Sequence, residues 1–166
     1  MIAQHPASSA ARQLAVTRCV FLLGALCALE GRRHGGHTTL AEALLDEVER
    51  EGVAALRRAL RRDGLLPGFW GGGYYEGDPR GRELVARLRL APRDPAARAI
   101  AFAAGQGLPP TLDLGLAALA RTHRLPQGAA FAIFALGRSA GWVAHALEQA
   151  GTGQLIRPRA VVTGPA

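Results

Sequence analysis

The sequence contains no lysine, and all 20 of its basic residues are arginine. Such a chain reflects an arginine-biased, GC-rich coding background, so its formal net charge of +7 is poor evidence for a nucleic-acid partner. Arg57, Arg58, Arg61 and Arg62 do cluster, but Glu47, Glu49, Glu51 and Asp63 surround them. That mixture reads as a solvated helix face, and no nucleic-acid partner is expected. Aromatic residues are also scarce, at 5%. Much of the apolar content is alanine, which favours helix over sheet, and no segment alternates with the period of a strand. The expected fold class is therefore all-α.

Cysteine is nearly absent. Cys19 and Cys27 are eight apart, which on a helix separates them by about 12 Å, too far for a disulfide. They are expected to be buried free thiols in a reducing, cytoplasmic compartment. Long hydrophobic runs are missing too. The run Cys19–Leu29 has 11 residues, where a membrane-spanning helix needs about 20. Arg12 and Arg18 precede it as in a signal peptide, but Glu30-Gly31-Arg32-Arg33 follows where a small-residue cleavage site would stand. The run reads as a buried core helix, and no membrane partner is expected.

Generic catalytic and binding motifs are absent as well. The glycines at 71–73 follow no strand and lack the lysine of a phosphate-binding loop. His34 and His37 have only Glu30 nearby as a third ligand, so no metal site is expected. No Gly-x-Ser-x-Gly elbow occurs.

What is present is a chain of 166 residues, 49% hydrophobic and 20% charged, enough for one domain with a real core. Six helices are expected. The first spans 8–29. The second opens on a capping box, Thr39-Leu40-Ala41-Glu42, and shows Leu40, Leu44, Val48, Leu56 and Leu60 on one face before Asp63-Gly64 ends it. Asp78-Pro79 and Asp94-Pro95 pair an N-cap carboxylate with a proline at the first helical position, opening the third and fourth. Thr111 caps a fifth through Arg121, and Pro126-Gln127 opens a long sixth ending near Gly151. Glycine-rich loops fall at 66–77 and 105–110, and the apolar residues of the tail 152–166 are expected to lie against something.

Five segments, in order, resemble the citrate synthase family. They are Gly31-Arg32-Arg33-His34-Gly35-Gly36, Pro67-Gly68-Phe69 with Asp78-Pro79-Arg80, Thr111-Leu112-Asp113, the stretch from Leu136-Gly137-Arg138 to His145, and Leu155-Ile156-Arg157-Pro158-Arg159. The resemblance covers nearly the whole chain but only the C-terminal half of the family's usual length. It implies a small domain at 35–125 and a partial large domain at 1–34 and 126–166. It also implies condensation of acetyl-CoA with oxaloacetate, or a related 2-oxo acid, to citrate and CoA in the tricarboxylic acid cycle. CoA acts there as a co-substrate, and no bound cofactor or metal is implied.

By the same resemblance Asp113 is the base and His34 the donor to the enol oxygen. Arg80, Arg138 and Arg157 bind oxaloacetate, with His5 the nearest match to a further substrate histidine. The loop Leu66, Pro67, Gly68, Phe69, Trp70 and Gly71 matches the CoA-binding region. The family's arginine at 157 reaches a partner subunit's site, which implies a homodimer or pairing with a related subunit. The helix 8–29 would lie in that interface. One departure stands out: the family's second catalytic histidine falls on Gly71. A non-catalytic relative that binds CoA or pairs with a complete subunit is the alternative.

Overall fold

The computed structural model describes residues 19–30, 36–69 and 77–152. Seven helices run through them: α1 (Cys19–Leu29), α2 (Gly36–Glu51), α3 (Val53–Asp63), α4 (Pro79–Arg87), α5 (Pro95–Ala104), α6 (Leu112–Thr122) and α7 (Ala129–Thr152). Among the described residues no strand forms. The single β-type pairing is an isolated antiparallel bridge between Phe69 and Pro110. The fold is all-α, as the alanine-rich composition implies.

Helix boundaries follow side-chain chemistry. Asp78 and Asp94 each cap a helix by accepting the N–H two residues on, at 3.0 and 2.7 Å. Gly64 ends α3 in the left-handed conformation, φ 69°, with its N–H on the Leu60 carbonyl. The helix expected over 39–63 is in fact two. Gly52, at φ 69°, separates α2 from α3, so the glycine inside the apolar pattern marks a stop. The capping-box start also shifts, because α2 begins at Gly36. The register then buries Ala41, Leu44, Leu45 and Val48, while Leu40, expected on the core face, is 51% exposed.

Two compact units divide the chain: Leu26–Gly137, and Met1–Ala25 with Arg138–Ala166. In the first, α2, α3, α5 and α6 enclose Leu45, Val48, Leu56, Leu66 and Leu114, with alanines at Ala41, Ala55, Ala96, Ala99, Ala103 and Ala117. Small side chains let helix axes approach closely, which is where the alanine content is used. A smaller cluster joins Leu116 and Ala120 of α6 to Ala130 at the start of α7. Arg58 pairs with Glu47 at 3.1 Å and with Glu51, and Arg62 with Asp63 at 2.8 Å, all exposed. The arginine cluster is thus the solvated face its sequence suggests.

In the second unit, Val20, Phe21 and Leu23 of α1 and Val143 and Leu147 of α7 are exposed. Cys19, and Cys27 in the first unit, are exposed free thiols rather than buried ones. An apolar helix that the described chain leaves uncovered cannot bury its cysteines. By length and composition α7 could cross a bilayer. Arg138 near its middle would cost about 2.5–3.5 kcal/mol at the centre of such a span, and the same composition suits a helix packed against protein.

Candidate active site

The first turns of α4 and α6 meet in the Leu26–Gly137 unit. Gly81 makes this contact possible. A Cβ there would stand 2.3 Å from the Thr111 carbonyl carbon and 2.8 Å from the Leu112 nitrogen. Gly115 serves the same packing one turn later, where a Cβ would meet Leu84 at 2.9 Å.

Asp78 sits in this junction, 6% exposed. Its Oδ1 accepts the Arg80 backbone N–H and Arg80 Nε–H, each at 3.0 Å. Its Oδ2 accepts Arg80 Nη2–H at 3.0 Å and the Leu112 backbone N–H at 3.1 Å. One carboxylate therefore closes the N-termini of two helices and grips a guanidinium along one edge. Burial acts to raise its pKa, but the bonds from Arg80 and the two backbone N–H groups, with the charge of Arg80, hold it below the usual carboxylate range. Thr111 occupies the N-cap position of α6 but makes no side-chain cap. Its N–H and hydroxyl both bond to the Gly68 carbonyl, at 2.9 and 3.1 Å. The expected Thr111 cap is replaced by Asp78 because the hydroxyl is committed to the 66–69 turn.

Asp113 follows in the first turn of α6, where the helix dipole favours an anion. It is half-buried, and that burial pushes its carboxyl above the ordinary range. His37 in the first turn of α2, the Asp113 backbone N–H and the Thr111 hydroxyl oppose the rise, while the negative charge of Asp78 adds to it. The Thr111 Oγ1 lies 3.5 Å from Asp113 Oδ2. Gly68, at φ 81°, lies between α2 and α6, since a Cβ there would be 3.1 Å from Ala41 and 3.0 Å from Leu114. Asp113 is thus a half-buried carboxylate at a helix start that Asp78 ties to the helix start carrying Arg80.

A family model of the citrate synthase C-terminal domain matches residues 7–159. The chain belongs to the citrate synthase family. Putative citrate synthase 2 of Mycobacterium tuberculosis is 38% identical over 157 residues, covering 87% of this chain and 42% of its own length. Citrate synthase 2 of Bacillus subtilis is 32% identical, with the same coverage of 87% and 42%. Among solved structures, a ternary complex of Thermoplasma acidophilum citrate synthase with carboxymethyl coenzyme A and oxaloacetate is similar at TM-score 0.68 and 29% identity. That likeness covers 98% of this chain and 49% of that one. Thermotoga maritima citrate synthase gives TM-score 0.68 at 27% identity, over 87% of this chain and 43% of its own. The chain spans about two fifths of the length of the curated relatives it matches.

Set against this family, Asp113 and Arg80 lie in the same unit, on the two helix N-termini joined by Asp78. Arg138 lies on α7 in the other unit and is exposed. His5, His34, Trp70, Gly71 and Arg157 lie outside the described residues. In the 66–69 turn, Leu66 and Phe69 are 1% and 3% exposed and belong to the core. Pro67 is half-buried, and the Gly68 carbonyl is held by Thr111. Two residues of the cluster carry no site role in the sequence reading. His37 enters there only as a metal ligand with His34, and Asp78 only as the cap of its own helix and a member of the Asp78-Pro79-Arg80 segment, with no signal for its bond to Leu112.

Proposed function

We propose that this chain forms the C-terminal part of a citrate synthase-type acyltransferase, joining acetyl-CoA to oxaloacetate or a related 2-oxo acid. The observation that carries the reading is Asp113, a half-buried carboxylate with a raised pKa in the first turn of α6. Its carboxylate takes a proton from the acetyl methyl group, and His34 donates a hydrogen bond to the enol oxygen. The enol carbon then bonds to the oxaloacetate carbonyl carbon as the carbonyl π pair moves onto oxygen. That oxygen takes a proton from water, since Gly71 offers no side-chain acid, and Asp113 returns its proton to water. Water cleaves the citryl thioester to citrate and CoA. Arg80, Arg138 and Arg157 hold the carboxylates of oxaloacetate, as guanidinium groups do in bidentate pairs. Any CoA contact at 66–71 uses Pro67, Trp70 or main-chain groups, because Leu66 and Phe69 face the core.

The small-domain part is assigned to 35–125 and the large-domain part to 1–34 and 126–166. The exposed apolar residues of α1 and α7 support packing against a second copy or a related subunit in the cytoplasm. Gly71 supports the second reading, a relative that binds CoA or completes another subunit without turning over. Losing a positioned general acid costs about two to four orders of magnitude in rate.

Thiol release from acetyl-CoA in the presence of oxaloacetate tests the proposal. Turnover by the chain alone, abolished by Asp113→Ala, is expected for a competent enzyme, and turnover only on mixing with a related subunit for a split one. No turnover in either case, with CoA still bound, would leave the binding role.

A further inference from the structure

The cluster contains a charged group with no part in the proposed reaction. Asp78 is buried and fills the roughly four acceptor positions of a carboxylate with donors from the chain itself. It can neither take a proton from a substrate nor receive a bond from one. What it can do is fix geometry. Three of its bonds come from Arg80 and the fourth from Leu112, 34 residues further on and adjacent to Asp113.

We infer that Asp78 is a positioning residue, a buried carboxylate that locks the Arg80 guanidinium and the first turn of α6 into one frame. It thereby sets the distance between the bound dicarboxylate and the Asp113 base. The inference rests on the functional reading above and adds a residue to it.

The geometry supports this at three points. First, a guanidinium offers a planar fork, and Asp78 holds the Nε and Nη2 edge bidentately, which defines the plane of the group. The Arg80 side chain is 54% exposed, and the paired bonds from Asp78 hold its Nε edge in one orientation. Second, Arg80 stands in the first turn of a helix, where the dipole disfavours a cation. The carboxylate at the N-cap reverses the local sign. Third, Gly81 brings the α4 start against the 111–112 backbone, so the carboxylate reaches Leu112 without bending either helix. The charged neighbours of Asp113 are His37 from α2 and Asp78 from the start of α4, and Arg80 is paired to the latter. Any movement of Asp78 therefore changes both the orientation of the anion-binding group and the field at the base.

The test uses the whole chain, with Asp78→Asn and Asp78→Ala beside wild type. Carbon-detected NMR titrates the Asp113 carboxyl, Arg80 Nε–H exchange reports the order of the guanidinium, and calorimetry measures oxaloacetate binding. In wild type, a slowly exchanging Arg80 Nε–H is expected. In Asp78→Asn, that proton should exchange at least tenfold faster, the Asp113 titration should move down, and oxaloacetate should bind at least tenfold more weakly. Loss of the Asp78 charge moves the Asp113 titration by itself, so the discriminating readouts are oxaloacetate affinity and Arg80 Nε–H exchange, which a purely structural cap would leave in place once the variant is folded. Unchanged oxaloacetate binding in a folded Asp78→Asn would overturn the inference. So would a fast-exchanging Arg80 Nε–H in wild type, a result that needs no variant to fold. Failure of the functional reading looks different: wild type would not bind oxaloacetate at all, while the Arg80 and Asp113 signals would still respond to Asp78.

Discussion

Gly81→Ala places a methyl group where the structure has none to spare. The new Cβ would stand 2.3 Å from the Thr111 carbonyl carbon and 2.4 Å from its oxygen, both main-chain atoms. Carbon atoms pack at about 3.5–4.0 Å, so the start of α4 must move away by more than about 1 Å. Overpacking of this kind costs about 1–3 kcal/mol. The same movement stretches the Leu112 N–H bond to Asp78, now 3.1 Å, beyond hydrogen-bond range. Losing a bond to a charged group costs about 1.5–3 kcal/mol. Alanine returns at most about 1 kcal/mol of helix propensity. The sum is a destabilisation of about 1.5–5 kcal/mol, read as a lowered midpoint in urea unfolding followed by far-ultraviolet circular dichroism. Gly137→Ala is the control. It lies in α7 with nothing within 4 Å of the added carbon, so propensity alone acts and the midpoint holds or rises. Gly81→Ala unfolding at or above the wild-type midpoint would refute the close approach on which the Asp78 junction depends.

Asp78→Asn removes a carboxylate whose folded pKa is depressed, so its contribution is present above the ordinary value of 3.8 and lost as pH falls through the folded value. Unfolding at neutral pH should show a loss of about 2–4 kcal/mol, with the two proteins converging in strong acid. Asp113 has the opposite sign: its raised folded pKa contributes stability at low pH that is lost as pH rises through that value. The stability of Asp113→Asn relative to wild type should therefore increase between pH 3 and pH 7, measured by denaturant midpoints at each pH. His37→Ala removes a charge that holds the Asp113 pKa down, so NMR should place the Asp113 titration higher still. Arg121 ties Asp46 and Glu49 of α2 to α6, and the acids are 52% and 62% exposed. Arg121→Met should cost no more than about 1 kcal/mol, shrinking in high salt.

Helix type and much of the helix punctuation were legible in sequence because they rest on local chemistry. The two Asp-Pro caps and the Gly64 stop depend on residues within one turn of the boundary they set. The break at Gly52 was missed because apolar periodicity continues across it, and only packing decides whether a glycine is tolerated or ends the helix. The cysteines were misplaced for a related reason: apolar periodicity shows which residues seek cover, not whether the described chain supplies it. In the site, the motif match found Asp113 and Arg80 as separate residues. Their junction was not legible, since Asp78 reaches Leu112 across 34 residues. The cap that Thr111 was expected to provide went instead to a neighbouring loop. Burial of Leu66 and Phe69 is likewise a property of the assembled core and not of the turn that carries them.

The Asp78 junction joins groups 34 positions apart in the chain, whereas the pairing of Asp78 with Arg80 is local. A contact of such separation must meet the entropy of closing its loop before it stabilises anything. The helix start that carries the base is thus fastened by the kind of bond that slows folding rather than speeds it.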